Sequence, residues 1–207
     1  MEPVVLEVGS RRVFASSLRF PGWSRAARTA DAALGQLDAY RARLEPVCAI
    51  AGVEDPGLDF EVVEEMSGSG ATDFGVPDSI ASVERRPLSG ADAERVADLT
   101  AAAWEVFDRI AAGSPEILQK GPRGGGRDRD PMIEHVRESE ASYARSIGIR
   151  SKAPDRSAWL DLRASILDVI RRGVENETGW PTRYAVRRIC WHILDHAWEM
   201  QDKSVSD

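Results

Sequence analysis

The chain has 207 residues, of which 43% are hydrophobic and 29% charged, and its formal net charge is −7. This length suits one large domain or two small ones, each with a stable core. The acidic balance argues against a general binder of nucleic acid or anionic membranes, and no apolar run approaches the ~20 residues that a membrane span needs.

The sequence pattern of residues 1–66 predicts a small β-β-α-β module. The runs VVLEV and RVFAS are rich in β-branched residues and are joined by Gly9-Ser10, which indicates a hairpin. A Pro-Gly turn in FPGW follows, and Thr29 is the predicted N-cap of the next helix. This single helix has a predicted apolar stripe of Ala33, Leu37, Tyr40 and Leu44. The run LDFEVV then alternates as a half-buried strand does.

The rest of the chain is predicted to be a linker followed by helices. Residues 67–88 are rich in Gly, Ser, Asp and Pro and indicate a linker, or a loop laid over a surface. Residues 89–207 then contain four amphipathic segments. Their predicted starts are Ser89 as an N-cap with Asp92 in capping-box position, Asp130-Pro131, Ser157 and Thr182. We therefore expect an α+β protein with a C-terminal antiparallel four-helix bundle.

Two of the chain's three histidines lie in the last helix. Ala185, Ile189, His192, His196 and Glu199 follow steps of four, three, four and three residues, so they share one face. The apolar members indicate that this face is the core face. Histidines spaced i and i+4 can converge on one ion, and burial favours the neutral imidazole that binds metal.

The third histidine, His135, falls in the second turn of the second bundle helix. If that face meets the last helix, three imidazoles meet inside the bundle and leave a coordination position open for water or substrate. The other interpretation of such histidines is a hydrogen-bonded core cluster without metal. Glu199 is a candidate ligand, a partner of a ligand or a general base, and otherwise a helix-end carboxylate paired with Arg or Lys.

The loop Lys120 to Asp130 carries four basic residues and three consecutive glycines before a helix N-terminus, where anions are favoured. We expect it either to hold a carboxylate or thiolate substrate through Arg123 and Arg127, or to be a solvated loop. Tyr143, two turns after His135, is a candidate pocket residue or a core residue. Asp195 lies off the histidine stripe and is expected to be solvated or to pair with Arg187 and Arg188.

Both cysteines, Cys48 and Cys190, are expected to be buried reduced thiols, and Cys190 lies about 200° round the helix from His192. Trp191 and Trp198 are expected to pack on a neighbouring helix or on the N-terminal module. The first residues lack a basic start followed by an apolar stretch, so we expect no signal peptide and a cytoplasmic protein.

The segments HVRESEASY and RRICWHILDHAWEMQD resemble the DinB/YfiT-like metalloenzyme superfamily, over about residues 90–205. The resemblance implies a four-helix bundle in which His135, His192 and His196 bind zinc, nickel or iron. It also implies, for some members, reactions that use a small thiol, as in mycothiol-dependent isomerases and S-transferases and in bacillithiol transferases. Ergothioneine sulfoxide synthases carry H-x3-H-x-E instead, whereas Glu199 stands one residue later.

The N-terminal segment FASSLRFPGWSRAARTADAALGQLDAY is similar to the HicB-like fold, over about residues 3–65. The resemblance implies a module that binds a protein partner. No DNA-binding segment stands beside it, so its expected roles are packing on the bundle, covering the site or forming a homodimer.

These features predict a metal-dependent enzyme that acts on a small molecule by thiol-dependent transfer or isomerisation, or by hydrolysis. In that prediction Glu199 moves a proton, and no nucleic acid or membrane is a partner. The alternative is a non-catalytic module that binds metal for stability or sensing and binds a protein through its HicB-like part.

Overall fold

The computed structural model describes residues 1–57, 59–121, 125–150 and 156–204. Within them the chain is a mixed α+β protein with seven α-helices and one four-stranded sheet. The strands are β1 Glu2–Val8, β2 Val13–Ser17, β3 Ser24–Ala27 and β4 Phe60–Ser67. The helices are α1 Ala30–Ala39, α2 Arg41–Ala51, α3 Gly70–Phe74, α4 Gly90–Gly113, α5 Arg129–Ser146, α6 Arg156–Arg172 and α7 Thr182–Ser204. None of the described helices combines the length and apolar character that crossing a bilayer requires.

The sheet has the strand order β3-β2-β1-β4. The predicted hairpin pairs β1 with β2 in antiparallel register, and α1 and α2 form the crossover that makes β4 parallel to β1. The expected β-β-α-β order lacked β3, which pairs with β2 directly after the Pro-Gly turn. Its sequence SRAA has no β-branched residue and no alternation, so the strand depends on backbone pairing with β2 and not on its own propensity.

The Pro-Gly turn lies against α7. Gly22 has φ of +90°, and a Cβ built there would stand 2.7 Å from the backbone carbon of Cys190. A side chain is therefore excluded by both the backbone conformation and the close approach of the helix. Trp191 packs edge-on against Phe14 of β2 at 6.1 Å, and Trp198 against Tyr40 at 5.3 Å. The prediction that these tryptophans pack on the N-terminal module is confirmed.

The crossover helix is divided in two. Thr29 caps α1 as predicted, since its hydroxyl accepts a hydrogen bond from the Ala32 N–H at 3.3 Å. A single helix was expected to continue through Tyr40, but α1 ends there and α2 begins at Arg41. The predicted stripe survives the break, because Ala33, Leu37 and Leu44 are all buried.

Residues 67–88 contain α3 and a 3-10 helix, Ser82–Arg85. Helix α3 lies against the sheet, where Thr72 bonds to Glu7 of β1, whereas residues 77–87 lie over α7. The buried Glu84 of the 3-10 helix accepts two bonds from the guanidinium of Arg187, at 2.6 and 2.9 Å. The hydroxyl of Tyr184 donates to the backbone oxygen of Asp78 at 2.9 Å. This segment therefore anchors α7 from outside the sheet.

The four long helices pack in pairs: α4 contacts α6 and α7, and α5 contacts the same two helices. Two predicted helix starts need correction. Ser89 stands at the N-cap of α4 but makes no capping bond, and Asp92 pairs with Arg183 in place of a capping box. Asp128, not Asp130, stands at the N-cap of α5, and its side chain makes no capping bond because it accepts from Lys120 and from the Leu118 N–H.

Candidate metal centre

Three histidines meet where α5 packs on α7. The Nε2 atoms of His135 and His192 lie 3.1 Å apart, and one ring nitrogen from each histidine falls within 4.8 Å of the other two. Each ring stands edge-on to the others, with centroid distances between 4.6 and 5.1 Å. The structure thus brings together the three residues that the sequence singled out.

Helical periodicity explains why two of them point inward. Ala185 and Ile189 are fully buried, and His192 on the same stripe is only 8% exposed. The predicted core face is therefore confirmed. His135 and His196 are half-buried, so one side of the cluster is closer to solvent than the other.

Glu199 belongs to this cluster through His196. Its Oε2 accepts a hydrogen bond from Nδ1 of His196 at 2.9 Å, and its other oxygen accepts from Lys203. The bond to His196, with Lys203 as a further donor, lowers the pKa of Glu199 to about 2. With Nδ1 occupied as a donor, His196 keeps the lone pair on Nε2, as a metal-binding imidazole requires. Both carboxylate oxygens being engaged, Glu199 is better suited to orienting His196 than to accepting a proton.

Burial keeps the other two imidazoles neutral. It lowers the pKa of His192 well below the usual value, and the neighbouring His196 and His135 lower it further. Burial also lowers the pKa of His135, followed by the charge of Arg127. Nδ1 of His192 is buried and has no hydrogen-bond partner among the described residues. Neutral imidazoles in this arrangement carry the lone pairs that a divalent metal requires.

Tyr143 and Arg127, two of the remaining predicted site residues, lie near the cluster. The ring of Tyr143 stands edge-on to His192 at 5.8 Å. Arg127 is exposed, but its charge is near enough to lower the pKa of both His135 and His192. Arg123 lies outside the described residues.

Both cysteines are buried free thiols as predicted, with pKa values raised to about 12 by burial, and Cys190 contacts Thr100 at 3.7 Å.

Two residues near the site were missed in the sequence. Arg188, one turn before His192, is buried with its guanidinium between 5.5 and 5.8 Å from four aromatic rings, including that of Tyr143. Lys203, one turn after Glu199, holds that carboxylate. Both positions continue the i, i+4 spacing of the histidine stripe, which was the available signal.

Asp195 was expected to be solvated or to pair with Arg187 and Arg188, and the expected pairing was wrong. Asp195 pairs with Arg25 of β3 at 2.9 Å, whereas Arg188 pairs with Asp78 at 3.2 Å. The strand that supplies Arg25 was not predicted, so this contact could not be foreseen.

Comparison with protein-family models, curated proteins and solved structures finds no match to this chain. The geometry of the three histidines is therefore the basis for assigning a function.

Proposed function

We propose that His135, His192 and His196 bind a divalent metal ion, zinc first and nickel or iron as alternatives. In this proposal α4 to α7 form an antiparallel four-helix bundle of the DinB/YfiT-like type. The paired contacts of α5 with α7 and of α4 with α6 and α7 support that arrangement.

The nitrogen geometry is the observation that carries the proposal. Zinc–nitrogen bonds of about 2.0–2.1 Å in a tetrahedral site separate the ligand nitrogens by about 3.3–3.4 Å. The 3.1 Å between Nε2 of His135 and Nε2 of His192 is close to that separation. A carboxylate behind one ligand, as Glu199 stands behind His196, is the usual partner of a metal-binding histidine.

A metal-free hydrogen-bonded cluster explains the same residues less well. A bond between the two Nε2 atoms needs one of them to donate, so it joins only two of the three rings. Nδ1 of His192 has no partner among the described residues in either case, so the comparison depends on the nitrogens that face one another, which without metal form one bond between neutral rings. A metal ion offers a larger favourable interaction to the same three nitrogens.

The proposed activity is a metal-dependent reaction on a small molecule, either thiol-dependent transfer or isomerisation, or hydrolysis. A bound metal would supply Lewis acidity to a coordinated carbonyl, water or thiol. Glu199 would hold His196 in one tautomer and orientation, and Tyr143 would line the side of His192. Arg127 would attract an anionic or thiolate substrate to the less buried side of the cluster.

Elemental analysis tests the metal site. After zinc reconstitution and desalting, the wild type should retain about one equivalent and His192→Ala almost none. Arg171→Gln, an exposed change on α6 away from the histidines, is the control and should match the wild type. Equal zinc in the wild type and His192→Ala would exclude the site, provided circular dichroism shows that both are folded.

Cobalt substitution distinguishes the proposed enzyme from the non-catalytic alternative. The half-burial of His135 and His196 supports an exchangeable coordination position. Adding a small thiol to the cobalt-loaded protein should then change its visible absorption bands. An unchanged spectrum at saturating thiol would favour a closed structural or sensing site, with the HicB-like part as a partner-binding module.

A further inference from the structure

A cavity lies on the side of α5 opposite the three histidines. It has a volume of about 700 Å³ and is bounded by α4, α5 and the first turns of α6. Ile133 and Arg137 line it, and each stands two residues from His135, about 200° round the helix. The cavity is therefore separate from the three histidines, and its volume is in the range typical of small-molecule sites.

Much of the wall is apolar. Phe107 and Ala111 of α4, Ile133 of α5, and Trp159 and Leu160 of α6 contribute to it. Trp159 is nearly buried, whereas Leu160 is 64% exposed. An apolar wall with an exposed apolar residue beside it suits a ligand with a hydrocarbon part.

The charged part of the wall contains three arginines and two aspartates. Asp108 accepts from Nη1 of Arg163 at 2.8 Å, and Asp130 accepts from Nε of Arg129 at 2.7 Å. Both carboxylates in the wall are thus paired. Arg137 is the arginine in excess, and its pairing is with Glu134. Glu134 is half exposed and does not line the cavity, so the lining residues by themselves carry three positive charges against two negative charges.

Two of these arginines have unmet hydrogen-bonding capacity. Nη2 of Arg163 and Nε of Arg137 are buried and have no partner among the described residues. Both guanidinium groups lie against Trp159, at 3.9 and 5.5 Å from the ring centroid. The Trp159 N–H and Nε of Arg163 both donate to the buried Glu140, whose pKa burial raises toward the neutral form.

We propose that this cavity binds a small monocarboxylate with an apolar tail. The carboxylate would be held by Arg137, whose side chain is 19% exposed, within the field of Arg163. The tail would lie along Ile133, Trp159 and Leu160. Planar guanidinium groups match a carboxylate, and the modest excess of positive charge suits one negative charge better than the two of a phosphate monoester.

Calorimetric titration of the 207-residue chain with hexanoate tests this proposal. We expect saturable binding of hexanoate. Hexanamide, which has the same tail without the charge, should bind with an affinity at least about tenfold lower. Arg137→Gln should weaken hexanoate binding by a similar factor, because it removes the charged donor. Leu160→Glu, at an exposed position, should abolish binding through like-charge repulsion.

The controls separate this site from the metal site and from the surface. Arg171→Gln should bind hexanoate as the wild type does, since Arg171 pairs with Glu94 and Asp98 away from the cavity. Removing metal with a chelator should leave binding unchanged. Absence of saturable binding at millimolar hexanoate would overturn the proposal, as would affinity that Arg137→Gln and Leu160→Glu both preserve, or binding that disappears with the metal.

Discussion

Nδ1 of His196 donates a hydrogen bond to Glu199 at 2.9 Å, and Lys203 holds the same carboxylate from the following turn of α7. Two side chains at successive helical steps, Glu199 and Lys203, thus fix the imidazole of His196 with its free lone pair on Nε2. The end of α7 is therefore part of the candidate metal centre.

Glu199→Ala should weaken zinc affinity about 10- to 100-fold, the range typical for loss of a hydrogen-bond partner behind a ligand. Glu199→Gln should have a smaller effect, because its amide oxygen can still accept from Nδ1. Competition with a chromophoric chelator measures both. Wild-type affinity in Glu199→Ala would mean that this carboxylate does not support His196.

Acidification should destabilise the metal-free protein through His192. The pKa of His192 is lower in the folded state than the unfolded value of about 6.5. The free energy of unfolding is therefore unaffected by this group above about pH 6.5 and decreases as the pH falls below that value. Urea unfolding between about pH 8 and pH 5 should show this decrease, and His192→Leu should show a smaller one. Equal slopes in the two proteins would remove His192 as the cause.

Arg187→Leu should lower the free energy of unfolding by about 3–5 kcal/mol, because it leaves Glu84 buried without its counter-charge. Adding Glu84→Leu to this variant should recover part of the loss, since the unpaired carboxylate is then gone. A double-mutant cycle by urea denaturation gives the coupling. Additive effects of the two changes would contradict a paired interaction.

Gly22→Ala should destabilise the protein by more than about 1 kcal/mol, because its φ is positive and its Cβ would collide with the α7 backbone at Cys190. Zinc affinity should fall as well, since Cys190 lies two residues before His192. Gly35→Ala is the matched control, because Gly35 lies in α1 with no atom near its Cβ position. It should stabilise the protein by about 0.5–1 kcal/mol. Thermal unfolding and chelator competition would detect both effects, and equal outcomes for the two glycines would refute the collision.

The sequence alone determined what depends on local periodicity. The spacing of Ala185, Ile189, His192 and His196 predicted the core face of α7, because residues three and four apart must share one side of a helix. Thr29 was found as an N-cap for the same kind of reason, since its hydroxyl bonds three residues away. The α+β class also followed from the two periodicities in the chain.

Only the tertiary structure decided which distant segments meet. The packing of α5 on α7 brings His135 to His192, and pairing with β2 creates β3, which carries Arg25 to Asp195. The cavity beside Arg137 exists because three helices leave a space between them. Such contacts depend on how the whole chain buries its apolar surface, and no local pattern encodes that arrangement.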